Sequence, residues 1–129
     1  MGNRARDWFR QAEADLRHAR NALDDGDYEW SCFAAHQAAE KAVKAVFLTR
    51  GLDAWGHTVT ALLGRLPLEK GVSEDLVECA KLLDKHYIPT RYPNGFDSGA
   101  PTDFYTRSEA EQAISCAEKI LALCGGEIG

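Results

Sequence analysis

No apolar run in this chain approaches the roughly 20 residues needed to cross a bilayer, and its charged N-terminus does not read as a secretion signal. A soluble protein of the cytoplasm, away from membranes, is the expectation. Cysteine occurs only four times, at Cys32, Cys79, Cys116 and Cys124, at wide unequal spacings and without a CxxC pair. A structural zinc site wants paired spacings, so these residues read as buried free thiols of a reducing compartment. A Gly-rich phosphate loop, an HExxH helix and a nucleophile elbow are all missing. Asp15 and His18 alone approach the Glu-x-x-His spacing of a di-metal bundle, which needs such pairs on two helices. No metal and no cofactor are expected. Positive charge is also short. Fifteen Lys and Arg against 20 Asp and Glu leave a net charge of −5, which argues against nonspecific, charge-driven binding to nucleic acid. No stretch alternates like a strand, and no internal repeat is visible.

What is present is helical periodicity. With 129 residues, 45% hydrophobic and 27% charged, the chain has the size and make-up of one globular domain over 1–129. Residues 27–50 contain neither Pro nor Gly and are rich in Ala, the strongest helix former. Tyr28, Cys32, Ala35, Ala39, Val43, Val46 and Arg50 recur at helix spacing, and Ala34, Ala38, Ala42 and Ala45 add a small-residue flank. A helix apolar over so much of its girth belongs at the centre of an all-α bundle. Glu40 and Lys44 are expected to pair on what remains exposed.

The other helices follow from their stripes and stops. A first helix over 3–24 buries Trp8 or Phe9, Ala12, Leu16, Ala19 and Leu23, with Asn3 as its N-cap. Gly26 suits a left-handed cap and Asp27 the start of the central helix, which makes an αα-hairpin. Arg4, Arg6, Arg10, Arg17 and Arg20 line the first helix, as a solvated face or as a local phosphate-contacting patch. A third helix over 57–66 stops at Pro67. Ser73 caps a fourth, with Glu74 and Asp75 in its first turn. The capping-box sequence from Thr106 to Glu109 opens the last, which buries Ala110, Ala113, Ile114, Ala117, Ile120, Leu121 and Cys124 and ends at Gly125 and Gly126.

Periodicity disappears over 87–105, where Pro89, Pro93, Pro101 and five aromatic residues gather. A loop of nearly twenty residues is uncommon in a small bundle and often functional. Tyr87, Thr90, Arg91 and Tyr92 form the candidate ligand-binding group. An Arg between tyrosines offers a phosphate fork beside stacking faces, which suits a nucleotide or a flipped-out RNA base. The plainer reading packs the tyrosines onto the bundle and pairs Arg91 with a nearby acid. His36, His57 and His86 are the candidate catalytic groups. His36 lies one turn before Glu40, His57 opens the third helix as a cap or beside Trp55, and His86 stands within reach of Arg91. The plainer reading makes His36 and His57 satisfied structural residues and leaves His86 in a local ion pair or simply exposed.

Four segments together resemble the HEPN family: WFRQAEADLRHARNAL, YEWSCFAAHQAAEKAVKAVFL, GHTVTALL and LDKHYIPTRYPN. The resemblance implies an up-and-down antiparallel bundle of four to five helices that pairs into a homodimer. It implies a non-catalytic or weakly catalytic protein that binds nucleotide or RNA and partners a minimal nucleotidyltransferase in a toxin–antitoxin-like pair. Ribonuclease members carry Arg, four to six residues, then His. No histidine follows Arg91 at that spacing, and the formal match from Arg50 to His57 sits in the wrong place in the bundle. Two alternatives stay open: a metal-independent ribonuclease using His36, His57 or His86, and a purely structural adaptor dimer.

Overall fold

A computed structural model describes residues 4–129, so Asn3, the expected first N-cap, lies outside the described residues. Six α-helices follow: α1 (Ala5–Asp25), α2 (Tyr28–Thr49), α3 (Val59–Gly64), α4 (Glu74–Asp84), α5 (Pro101–Phe104) and α6 (Arg107–Ile128). There is no strand among the described residues. The all-α expectation holds.

The α1–α2 hairpin closes as the sequence indicates. Gly26 takes φ 82°, its amide donates to Leu23 O at 3.1 Å, and the Asp27 amide donates to Ala22 O at 2.8 Å. These are the two bonds of a Schellman motif, and they satisfy carbonyls that the helix end would otherwise orphan. Asp27 occupies the N-cap position of α2, but its side chain makes no capping bond. The buried Ser31 hydroxyl instead donates across the hairpin to Ala19 O at 2.7 Å.

Cross-helix pairs fix the remaining directions. Phe9 near the start of α1 lies against Gly125 near the end of α6, so these helices run antiparallel. Arg50 just past α2 reaches Glu127 on α6 at 2.5 Å, so α2 and α6 run parallel. Asp75 at the start of α4 meets Lys119 on α6 at 3.3 Å, which turns α4 against α6. The four longer helices therefore alternate in direction along the chain, an up-and-down bundle. The central helix α2 packs on α1, α3, α4 and α6. Its alanine flank is buried throughout, and small side chains are what let α1 and α6 come close on both sides.

Every residue of the expected α6 stripe is buried, and the Thr106–Glu109 capping box forms, with the Glu109 amide donating to the Thr106 hydroxyl at 3.2 Å. On α1, Phe9 packs on the core while Trp8 is exposed. Four boundaries and environments differ from expectation. α6 runs through Gly125 and Gly126 to Ile128, because the bare Gly125 backbone admits the Phe9 ring and the half-buried Ile128 adds packing. α3 is shorter than expected, starting at Val59 rather than His57 and ending before Leu66. Glu40 and Lys44 do pair, at 2.9 Å, but both are buried rather than exposed. The segment 87–105 is not a plain loop: it winds through successive turns, a 3-10 turn at Pro93–Gly95 and the single turn of α5. All four cysteines are free thiols, three of them buried. Burial pushes the Cys32, Cys116 and Cys124 thiols up to about 12, so they stay protonated and unreactive.

Candidate functional site

The site is assembled where the end of α4 meets α2 and the start of α3. Asp84, the last residue of α4, accepts from the Val59 amide at 2.7 Å, the Thr60 amide at 3.0 Å and the Thr60 hydroxyl at 2.6 Å. These amides are the first two of α3, which its own backbone leaves without acceptors. A fourth donor is the fully buried His36, whose Nε2 lies 3.2 Å from Asp84 Oδ1. Burial works to raise the Asp84 carboxyl, but the bonds from His36, the Thr60 hydroxyl and the two amides outweigh it and hold it below its ordinary value. One carboxylate thus ties α2, α3 and α4 together.

Just past α4, Tyr87 becomes a hub of rings. Its centroid lies 5.0 Å from His36 and 6.2 Å from Phe33, both tilted. His57 lies 5.3 Å away and nearly parallel, at 14°. The Arg91 guanidinium sits 4.5 Å from the Phe33 centroid, 4.8 Å from Tyr87 and 5.1 Å from Tyr92. Arg91 Nε donates to the Tyr87 carbonyl at 3.0 Å, one turn back, which aims the side chain at these rings. No acid among the described residues pairs with it, so the plainer reading of Arg91 as one half of a local ion pair is set aside. A guanidinium stacked on π-faces keeps its terminal N–H groups for a planar anion. Trp30 and Tyr92 are exposed around it, Trp30 edge-on to Phe33 at 6.2 Å. Thr90 is buried and donates to the His86 carbonyl at 2.6 Å, so it holds the turn rather than facing a ligand.

The three histidines have different surroundings. His36 is inaccessible. His86 is 7% exposed and faces Tyr105, its Nδ1 lying 3.4 Å from the hydroxyl, rather than Arg91. Burial, with His36 and Lys85 nearby, lowers its pKa against the pull of Glu109, which favours the neutral ring. His57 has a side chain 61% exposed, and its Nδ1 lies 3.3 Å from Glu40 Oε2. It stacks on Tyr87 rather than Trp55, which instead covers Arg65. The formal Arg50–His57 match does not converge. His57 sits beside Glu40, whereas Arg50 lies ten residues further along the α2 line, about 15 Å of helical rise away, and pairs with Glu127.

An open groove of about 880 Å³ runs along α1, lined by Arg4, Asp7, Trp8, Gln11, Arg17 and Lys41 among others. It carries much of the arginine stripe, but its charge is largely compensated. Arg4 and Arg10 bracket Asp7, Lys41 pairs with Asp15 at 2.5 Å, and beyond the groove Arg20 takes Glu118 at 2.6 Å. The Arg91 cluster, where an unpaired cation is set among three stacking rings, is the better candidate. Among the described residues, no group of three or more His, Cys, Asp or Glu is placed to hold a metal ion.

Comparison with known proteins decides the family. The HEPN domain model matches residues 5–127. The chain belongs to the HEPN family. A solved HEPN homologue, ST0689, described as archaeal, is 40% identical, with a TM-score of 0.84 and complete coverage of both chains. TT1696 from Thermus thermophilus is 55% identical with a TM-score of 0.94, over 98% of this chain and 99% of that one. A curated relative, "Putative toxin MJ1304" from Methanocaldococcus jannaschii, is 28% identical over 123 residues, 88% of this chain and 81% of that protein. Within this HEPN domain, sequence reasoning singled out Tyr87, Arg91 and Tyr92 but missed Asp84, Phe33 and Glu40 as their neighbours. A signal was there: Phe33, His36, Glu40 and Lys44 follow one another at helix spacing on an otherwise alanine-rich helix.

Proposed function

We propose that this HEPN domain binds a nucleotide, or an unstacked RNA base with its phosphate, at the cluster of Phe33, Tyr87, Arg91 and Tyr92. The observation that carries the reading is the Arg91 guanidinium, set among three aromatic rings and without an acidic partner among the described residues. Rings supply stacking faces and the fork supplies bidentate contact to phosphate. In this reading the protein acts as a homodimer and as the partner of a minimal nucleotidyltransferase in a toxin–antitoxin-like pair, with little or no catalysis of its own. The relative named as a putative toxin is consistent with such a pairing. Calorimetric titration with ATP, GTP and a short single-stranded RNA tests the site. Wild type binds, and Arg91→Ala loses about 1–3 kcal/mol of affinity, the scale of a charge-assisted bond. Equal affinity in both proteins would move the site elsewhere.

One observation favours a second reading, a metal-independent ribonuclease. His57 is solvent-accessible and has a carboxylate on its Nδ1, an arrangement that leaves Nε2 as a proton acceptor. RNA cleaved in the presence of chelator, with the cleavage lost in His57→Ala, would replace the binding-only account.

A further inference from the structure

Glu40 Oε1 is a buried side-chain oxygen with no hydrogen-bond partner, the one such atom among the described residues. The residue is 5% exposed, and its other oxygen already serves Lys44 Nζ at 2.9 Å and His57 Nδ1 at 3.3 Å. A carboxylate is acceptor-only, so whatever completes this one must bring an O–H or N–H. A buried polar atom left unpaired asks for an explanation beyond packing. The second observation is independent of the first. His57 lies nearly parallel to Tyr87, at 14° and 5.3 Å, which is how a planar base would lie there. It is also readily moved, because its side chain is 61% exposed and held to Glu40 by a single bond.

We infer that Glu40 selects ribose and that His57 occupies the place of the base until a ligand displaces it. This rests on the nucleotide-binding reading above and adds the sugar to it. The imidazole leaves the Tyr87 face, the incoming base takes its place, and a ribose hydroxyl donates to Glu40 Oε1. Arg91, which touches the same tyrosine, meets phosphate. Lys44 remains on Oε2 and sets a cation beside the carboxylate where the anionic ligand arrives. The ligand class is therefore a nucleotide whose sugar carries the hydroxyl that Oε1 accepts, since a site built to bond a hydroxyl strongly rejects the analogue that lacks it.

The test is calorimetric titration with GTP and with its 2′-deoxy and 3′-deoxy analogues. Wild type, His57→Ala and the double variant Glu40→Met/Lys44→Met are compared. The double variant exchanges a buried pair for apolar chains of similar length, a change that often leaves stability unharmed, and a thermal melt checks this. Wild type is expected to prefer GTP over at least one deoxy analogue by about tenfold or more, the scale of a bond to a charged group. The double variant is expected to lose that preference, and His57→Ala to bind GTP at least as tightly as wild type. GTP bound with no ribose preference overturns the inference while leaving the nucleotide site standing, and so does a tenfold loss in His57→Ala. No nucleotide binding at all sinks both. A double variant that fails to fold leaves the inference resting on the wild-type preference and the His57→Ala result, each of which can still overturn it.

Discussion

Replacing Asp84 with alanine removes the tie that joins three helices beside the site. Its carboxylate takes the Val59 and Thr60 amides, the Thr60 hydroxyl and His36 Nε2, at 2.6–3.2 Å. A single bond to a charged group contributes about 1.5–3 kcal/mol, but bonds sharing one acceptor do not add. Removing one member of a buried polar network costs about 3–5 kcal/mol, because donors such as Nε2 of the fully buried His36 are left without a mate. With a urea m value of about 1–3 kcal/mol/M, the Asp84→Ala midpoint should fall by roughly 1–5 M. The effect also reaches the site. Val59 and Thr60 open α3, and His57 lies two residues upstream, so freeing α3 should loosen the His57–Tyr87 stack. Urea unfolding followed by circular dichroism measures the first effect and the His57 ring resonances report the second. A midpoint within about 0.3 M of wild type, under 1 kcal/mol on the same m value, would refute the claim that Asp84 holds the three helices together.

The other predictions concern pH, packing and backbone. The folded Asp84 carboxyl lies below its ordinary value, so the unfolded chain takes up this proton first. Its stability contribution is complete above the unfolded value of about 3.9 and drains away as pH falls through the lower folded value. Acid unfolding should therefore show a component in that range that is missing from Asp84→Asn, and identical acid profiles would contradict it. Leu83→Ala empties a fully buried position on α4 and should cost about 2–5 kcal/mol, read from the same urea curves. Gly26→Ala forces a Cβ into φ 82° at the Schellman cap and should cost about 1–2 kcal/mol although the site is open, whereas a neutral effect would deny the strain.

The helices were legible in the sequence because short-range patterns determine them. The α6 stripe, the Thr106 box, the Ser73 cap and the Gly26 turn each depend on residues within a few positions of one another. The end of α6 was not legible, since Gly125 reads as a stop unless the Phe9 ring from the far end of the chain is known to lie against it. The same limit applied at the site. Tyr87 and Arg91 stood out by residue type, but the bond between His36 and Asp84 spans 48 positions and that between Glu40 and His57 spans 17. Such contacts exist only once α4 and the segment before α3 pack on α2, and no local periodicity encodes that packing. Glu40 and Lys44 looked like a surface pair because helix spacing gives the pairing without saying which face the loop before α3 covers.

The most direct measurement of the central claim is an NMR titration of the labelled protein with GTP, following arginine Nε–Hε and aromatic ring signals together. The account predicts saturable shifts of Arg91 Nε–Hε and of the Phe33, Tyr87 and Tyr92 rings, with Arg10 and Arg17 on α1 unmoved. Shifts confined to Arg10, Arg17 and Trp8, with Arg91 silent, would contradict it and place the site in the α1 groove.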